Sequence, residues 1–207
     1  MRYLTAALSV VGVLVGVRGV TPVIHAQGSP VQTVKGGIVD EVKLYVAKLP
    51  ETKVVAMKPF SATDADLKEG DKKEDTKKMQ PIAGRTLGDE FVGQLKKMGP
   101  FTEVSLLADD ATPPADAIVV EGKFVEIDPG SAAKRYFVGY GAGKSGVKVE
   151  GTIKSGDKVL ATFEQRRVGV MSGGYKDSMG KLMSDTIAIG EDIAKLLNAW
   201  ANGKKLK

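Results

Sequence analysis

The sequence predicts a two-layer α/β (α+β) domain, with a mixed, mostly antiparallel sheet of about five strands packed against two or three helices, the last one long. Three observations carry that prediction. Residues 147–165 alternate apolar and polar with period two on either side of Ser155-Gly-Asp157, the pattern of a hairpin. Residues 53–107 read as strand, helix, strand, an order that favours a parallel pair joined by a crossover. Residues 179–200 carry an apolar seam at three- and four-residue steps, the spacing of a helix.

The chain opens as an export signal. Arg2 supplies the positive start, Leu4 to Val17 is a short apolar run, and Thr21-Pro-Val-Ile-His-Ala26 offers a small residue for cleavage after Ala26. The run is short for a membrane span, which needs about 20 residues. Residues 1–26 are therefore expected to be a signal peptide on an exported, periplasmic or envelope-associated protein. Arg18 is unusual in a cleavage region, so an uncleaved N-terminal anchor is the alternative. The chain has no cysteine, which excludes a lipid-anchored cysteine at the junction and any disulfide. Removing 26 of 207 residues leaves 181, with 28 basic and 25 acidic side chains and a mild balance of +3. Such a balance does not call for a nucleic-acid partner, and none is expected.

Residues 27–36 read as a polar leader and 37–203 as one domain, with 204–207 a basic tail. From Gly37 to Leu49, the apolar residues Ile38, Val42, Tyr45, Val46 and Leu49 fall on one helical face, and Pro50 ends the run. Lys53 to Phe60 reads as a buried strand that opens at Pro59. Residues 61–80 hold five lysines and six acids without apolar periodicity, which predicts a solvated insertion loop. Asp64 and Asp66 begin like a calcium loop, but Lys68 and Glu69 stand where an oxygen ligand and a glycine are needed. Thr86 to Met98 is the second helix, with Leu87, Phe91, Leu95 and Met98 as its stripe and Gly99-Pro100 as its stop. Phe101 to Leu107 is a strand, and 109–116 with Pro113-Pro114 is a turn. Ala117 to Ile127 is a long strand whose phase changes near Gly122, which predicts a bulge there. After the hairpin, Arg166 to Val170 prolongs its second arm. The last helix carries Met179, Leu182, Thr186, Ile189, Ile193, Leu196 and Trp200, with Asp177 or Ser178 placed to cap it and Gly203 to end it. Packing over the sheet is the expected use. A coiled-coil partner is the alternative, weakened by Gly180 and Gly190.

The only histidine, His25, lies in the predicted signal peptide. Without His or Cys in the remainder, Ser-His-Asp and Cys-His catalysis, imidazole or thiolate zinc sites and His- or Cys-ligated haem are excluded. Paired carboxylates, a serine–lysine arrangement or oxygen-only metal binding survive. Gly141-Ala-Gly-Lys-Ser-Gly146 matches G-x-G-x-x-G, and Gly143-Lys-Ser145 matches the end of a P-loop. A P-loop needs a glycine where Val138 stands, and both motifs need a following helix, whereas Val147 to Ile153 alternates as a strand. No nucleotide, metal or other cofactor is expected.

Val120-Glu-Gly-Lys-Phe124, Asp128-Pro-Gly-Ser131, Arg135, Gly139-Tyr-Gly-Ala-Gly143, the hairpin and the terminal helix form a combination running from Ala117 to the C-terminus. It resembles a bacterial envelope family of unknown function, domain-of-unknown-function family 4410. Val54-Val-Ala-Met-Lys-Pro-Phe60, followed by helix and strand, is also similar to the opening of curli-secretion-type and TolB-type periplasmic domains. The resemblance implies an exported α/β module and carries over no catalytic residue.

The glycine segment is the candidate contact surface. Asp128-Pro129-Gly130 is a turn after a long strand, with Pro fixing φ and Gly free to take positive φ. Gly139, Gly141, Gly143 and Gly146 free the backbone to lie close to another surface. Tyr136, Phe137 and Tyr140 set aromatic area beside Lys134, Arg135 and Lys144, with Arg166 and Arg167 on a strand that could face them. A loop packed quietly over the sheet edge is the plain alternative. Three functions follow. The first is a non-catalytic envelope module acting by contact with an envelope protein. The second is a binding domain for an anionic envelope ligand, a peptidoglycan or lipid headgroup, resting on Lys134, Arg135, Lys144 and Lys148. The third is a carboxylate-based glycan hydrolase drawing on Glu121, Glu126, Asp128, Glu150 and Glu164.

Overall fold

The computed structural model describes residues 29–68, 73–130, 144–169 and 178–207. The signal-peptide reading of residues 1–26 falls outside them, as does the cap position Asp177.

The strands are β1 (Gln32–Lys35), β2 (Glu41–Leu44), β3 (Val54–Met57), β4 (Asp66–Leu67), β5 (Glu103–Leu106), β6 (Ile118–Asp128), β7 (Ser145–Ser155) and β8 (Lys158–Gly169), and the helices are α1 (Lys73–Met98) and α2 (Ser178–Ala201). The sheet runs β1-β2-β8-β7-β6-β3-β5, with β4 attached beside the far end of β6. β3 lies parallel to both β5 and β6, and β1-β2-β8-β7-β6 is antiparallel throughout. Both helices pack together on one face of this sheet. The two-layer, mostly antiparallel α+β reading therefore holds, with eight strands rather than five.

Two of the extra strands come from the leader and the expected first helix. Residues 32–44 form the β1–β2 hairpin, turned at Gly36 with φ 62°. Val34, Val42 and Leu44 point into the core at strand spacing. A run this short fits either period, and pairing with β8 decided it. Asp40 fixes that pairing, since its N–H donates to Gln165 Oε1 at 2.9 Å and its carboxylate accepts the Arg166 N–H at 2.7 Å.

The expected insertion loop at 61–80 is likewise structured. Ser61 bridges Lys123, β4 pairs with Glu126–Ile127, and α1 begins at Lys73. Met79 and Ala83 extend the buried stripe of Leu87, Phe91 and Leu95 back by two turns at steps of four. Surrounding lysines and the exposed Pro81 hide that stripe in the sequence. Gly99 ends α1 at φ 83°, as its position predicts.

The bulge in β6 lies between Phe124 and Glu126, not at Gly122. Gly122 serves another purpose. It stands opposite Gly151 of β7, and a Cβ on either would fall closer than 3.0 Å to a ring, that of Phe60 or Phe163 respectively. These two rings pack 6.4 Å apart over the paired glycines and fill the space that side chains would have taken. α2 buries Leu182, Ile189, Ile193 and Leu196 completely, and Gly190 lies against the backbone of α1 at Leu87. The seam is thus used within the chain, and Gly190 is what lets the two helices approach. Gly203, at φ 62°, closes α2.

Among the described residues, no helix is long and apolar enough to cross a membrane.

Candidate functional site

β6 and β7 pair as far as Asp128–Gly146, beyond the bulge at Phe124/Glu126, and β8 flanks β7 there to the pair Ser145–Gly169. At the start of the β6–β7 connection, Asp128 Oδ1 accepts the Gly130 N–H at 2.7 Å and Gly130 takes φ 74°, the turn expected of Asp-Pro-Gly. Pro129 and Gly130 are buried, which anchors this end. At the other end Lys144 is exposed, while Ser145 is buried and its Oγ donates to the Gly169 carbonyl at 3.3 Å. Of the sequence-predicted contact residues, the structure describes Asp128, Pro129 and Gly130 at the end of β6 and Lys144 just ahead of β7. Lys134, Arg135, Tyr136, Gly139, Tyr140, Gly141 and Gly143 lie outside the described residues. A strand, β7, runs on from Gly146, so the helix that a phosphate-binding loop requires is not there.

Arg166 and Arg167 project to opposite faces and are both engaged. Arg166 Nη2 meets Glu126 at 2.8 Å on the open face. Arg167 turns to the helices and pairs with Asp192 of α2, its Nε donating at 3.0 Å. Beside Glu126, Lys68 pairs with Asp66, and that hydrogen bond holds its ammonium above the ordinary lysine value.

The sheet face away from the helices carries a lattice of paired charges. Lys148 lies between Glu164 at 2.8 Å and Glu150 at 3.6 Å. Lys154 and Lys58 both reach Glu121, and Lys35 and Lys43 reach Glu41 at 2.8 and 3.0 Å. The bond to Glu164, more than the charge of Glu150, raises the Lys148 pKa, while Lys35 first and then Lys43 lower that of Glu41. Of the five carboxylates considered for hydrolysis, Glu121, Glu126, Glu150 and Glu164 are thus ion-paired and Asp128 holds a turn. Among the described residues, no group of three or more His, Cys, Asp or Glu could hold a metal ion.

A buried polar cluster between β8 and α2 went unread in the sequence. Lys181 pairs with Asp185, and Gln165 Nε2 donates to Asp192 at 2.5 Å beside the Arg167 bond. Asp185 Oδ2 and Thr186 Oγ1 are buried without a hydrogen-bond partner among the described residues. The signal was present, because Lys181, Asp185 and Asp192 share one helical face next to the apolar seam.

The model of a domain of unknown function (DUF4410) matches residues 51–173, more than half of the 207-residue chain. The chain belongs to this family. The match starts at Glu51, well before the Ala117 indicated by the glycine motifs, and ends ahead of α2. No curated protein matches the chain. Among solved structures, the chain is similar to the PelC dodecamer from Paraburkholderia phytofirmans, at 14% identity over 73% of this chain and 96% of that one, with a TM-score of 0.43. It is also similar to a Xanthomonas campestris protein of family DUF330, at 11% identity over 76% and 94% of the two chains, with a TM-score of 0.44. Likenesses this distant say nothing about activity or assembly.

Proposed function

We propose that this protein is a non-catalytic, exported module of the bacterial cell envelope that works by contact with a protein neighbour, through the end of the sheet that bears the β6–β7 connection. One observation carries the reading. Glu121, Glu126, Glu150 and Glu164, on which acid–base chemistry would draw, are each taken up by a lysine or arginine, whereas the sequence that joins β6 to β7 is rich in aromatic, basic and glycine residues. Connections held on a rigid scaffold are where recognition residues concentrate. Protein contact is better supported than an anionic envelope ligand, because Lys148, one of the four cations that reading needs, is held between Glu164 and Glu150.

The test is in-cell photocrosslinking from position 144, with mass spectrometry identifying both the adduct and the mature N-terminus. A discrete protein adduct is expected from position 144 and none from position 78, which is exposed on α1. Deletion of residues 131–143 should abolish the adduct. If it leaves the adduct and every phenotype intact, the reading fails.

A further inference from the structure

At the opposite end of the strands from that connection lies a groove of about 920 Å³. It is bounded by the segment ahead of β3, the turn after α1 and the tail that follows α2. This volume is near the upper end of the ~300–1,000 Å³ of small-molecule sites. Its floor shows the edges of Trp200, Phe101 and Leu206, and Leu49 and Pro100 add apolar wall. Trp200 is fixed in place, since its indole N–H donates to the Ala47 carbonyl at 3.4 Å.

The groove differs from the rest of the surface in how its charge is treated. Lys48, Lys53, Lys204 and Lys205 line it against a single acid, Glu51. On the open sheet face Lys35, Lys43, Lys58, Lys148 and Lys154 each rest on a glutamate. Among the described residues, no ion pair neutralises any of the four groove lysines, and Lys53 Nζ has only the Pro100 carbonyl, at 3.2 Å. Four ammonium groups without an ion pair among the described residues, set around an apolar floor, are complementary to a ligand with an anionic head and an apolar body. The cations of the groove are all lysines, compact point charges on flexible stems that serve as phosphate binders.

We propose that this groove binds a single amphipath with a net-anionic phosphate head, an anionic phospholipid or lysophospholipid molecule, with its apolar body against Trp200, Phe101 and Leu206 and its phosphate among Lys48, Lys53, Lys204 and Lys205. The site shares no residue with the contact surface proposed above, so the two can fail separately.

Trp200 is the only tryptophan of the chain, so its fluorescence reports on the groove alone. The full-length protein would be titrated with lysophosphatidylglycerol below its micelle concentration, with lysophosphatidylcholine, with inorganic phosphate, and with phosphatidylglycerol vesicles. A saturable shift of the emission is expected with monomeric lysophosphatidylglycerol, weakened by salt as exposed charges are screened. The Lys204→Glu/Lys205→Glu double variant should bind about tenfold or more weakly, Lys48→Glu should weaken binding in the same direction, and Lys78→Glu on the far end of α1 should not. Unchanged circular dichroism and melting would show that the variants fold. Equal binding of lysophosphatidylcholine, or wild-type binding by the double variant, would overturn the role of the lysines. A full response to inorganic phosphate would overturn the apolar half of the site. A response to vesicles without one to the monomer would place recognition at a membrane surface and overturn the groove, as would no response at all.

Discussion

Replacing Gly93 and Gly84 by alanine, one at a time, sets helix propensity against close packing within a single helix. Both residues lie inside α1. An alanine in a helix interior is favoured over glycine by about 0.8–1 kcal/mol. At Gly93 a Cβ would meet nothing within 4 Å, so Gly93→Ala should deliver that gain in full. For a domain of this size it raises the melting temperature by about 2–4 °C. At Gly84 a Cβ would fall closer than 3.0 Å to the carbonyl oxygen of Phe60, with the carbon of that carbonyl and the Phe60 nitrogen at 3.1 Å. That carbonyl cannot retreat cheaply. The Lys58 N–H donates to the Val120 carbonyl at 2.9 Å and the Ser61 N–H to that of Gly122 at 3.1 Å, which ties the segment to β6 on both sides. Overpacking against a fixed wall costs about 1–3 kcal/mol. Set against the propensity gain, Gly84→Ala should come out neutral to about 2 kcal/mol less stable. Urea unfolding of the two variants beside wild type measures both values. If Gly84→Ala gained as much as Gly93→Ala, the close approach of α1 to the Phe60 segment would be wrong.

Two further outcomes test the polar interior and the charged face. Asp192→Ala removes the shared acceptor of Gln165 and Arg167; hydrogen bonds to a charged group contribute about 1.5–3 kcal/mol each, but half-exposed Arg167 can turn to water, so a loss of about 1–3 kcal/mol in urea unfolding is expected. Asp192→Asn, which keeps an acceptor oxygen, should cost less, and equal losses would refute the charge-assisted role. The Lys148–Glu164 pair predicts the alkaline limb. The folded ammonium titrates above its ordinary 10.5, so its contribution is complete below that pH and is lost as pH rises through and beyond it. Glu164→Gln should flatten the decline of melting temperature above that value, and an unchanged alkaline limb would contradict the pairing.

Those features of the fold that rest on long periodic runs were legible. The β7–β8 hairpin, the α2 seam and the stops at Gly99 and Gly203 all stand where spacing and turn chemistry put them. What failed did so where tertiary contacts outweigh local pattern. Residues 38–49 present a plausible helical face, yet β2 is a strand because β8 offers an edge to pair with and Asp40 locks the register. Residues 73–80 look like a solvated charge run, because Met79 is the one apolar clue to a helix whose other faces are wet. The bulge near Gly122 was misplaced because a glycine inside a strand marks either a bulge or a close approach, and here Phe60 and Glu150 press on it. The groove was not readable, since it joins Lys48, Lys53 and Lys204, which sequence separates by up to about 150 residues.

The one-sided sheet then bears on where recognition can occur. Antiparallel sheets often leave one face wet, and that face usually attracts ligands in proportion to its unbalanced charge. Here most of the cations named on it already rest on a carboxylate, and two carboxylates, Glu41 and Glu121, are each shared between two cations. Such a lattice cancels its own field within a few ångströms, so a charged partner gains little by docking there and loses the existing pairs. The helices cover the other face. What remains is the sheet edges at β1 and β5 and the two ends of the strands, one bearing the β6–β7 connection and the other a groove whose lysines form no ion pair among the described residues. A binding map from hydrogen exchange or chemical shifts should therefore be confined to those edges and ends, and protection spread across Glu41, Glu150 and Glu164 would mean that the lattice opens for a ligand after all.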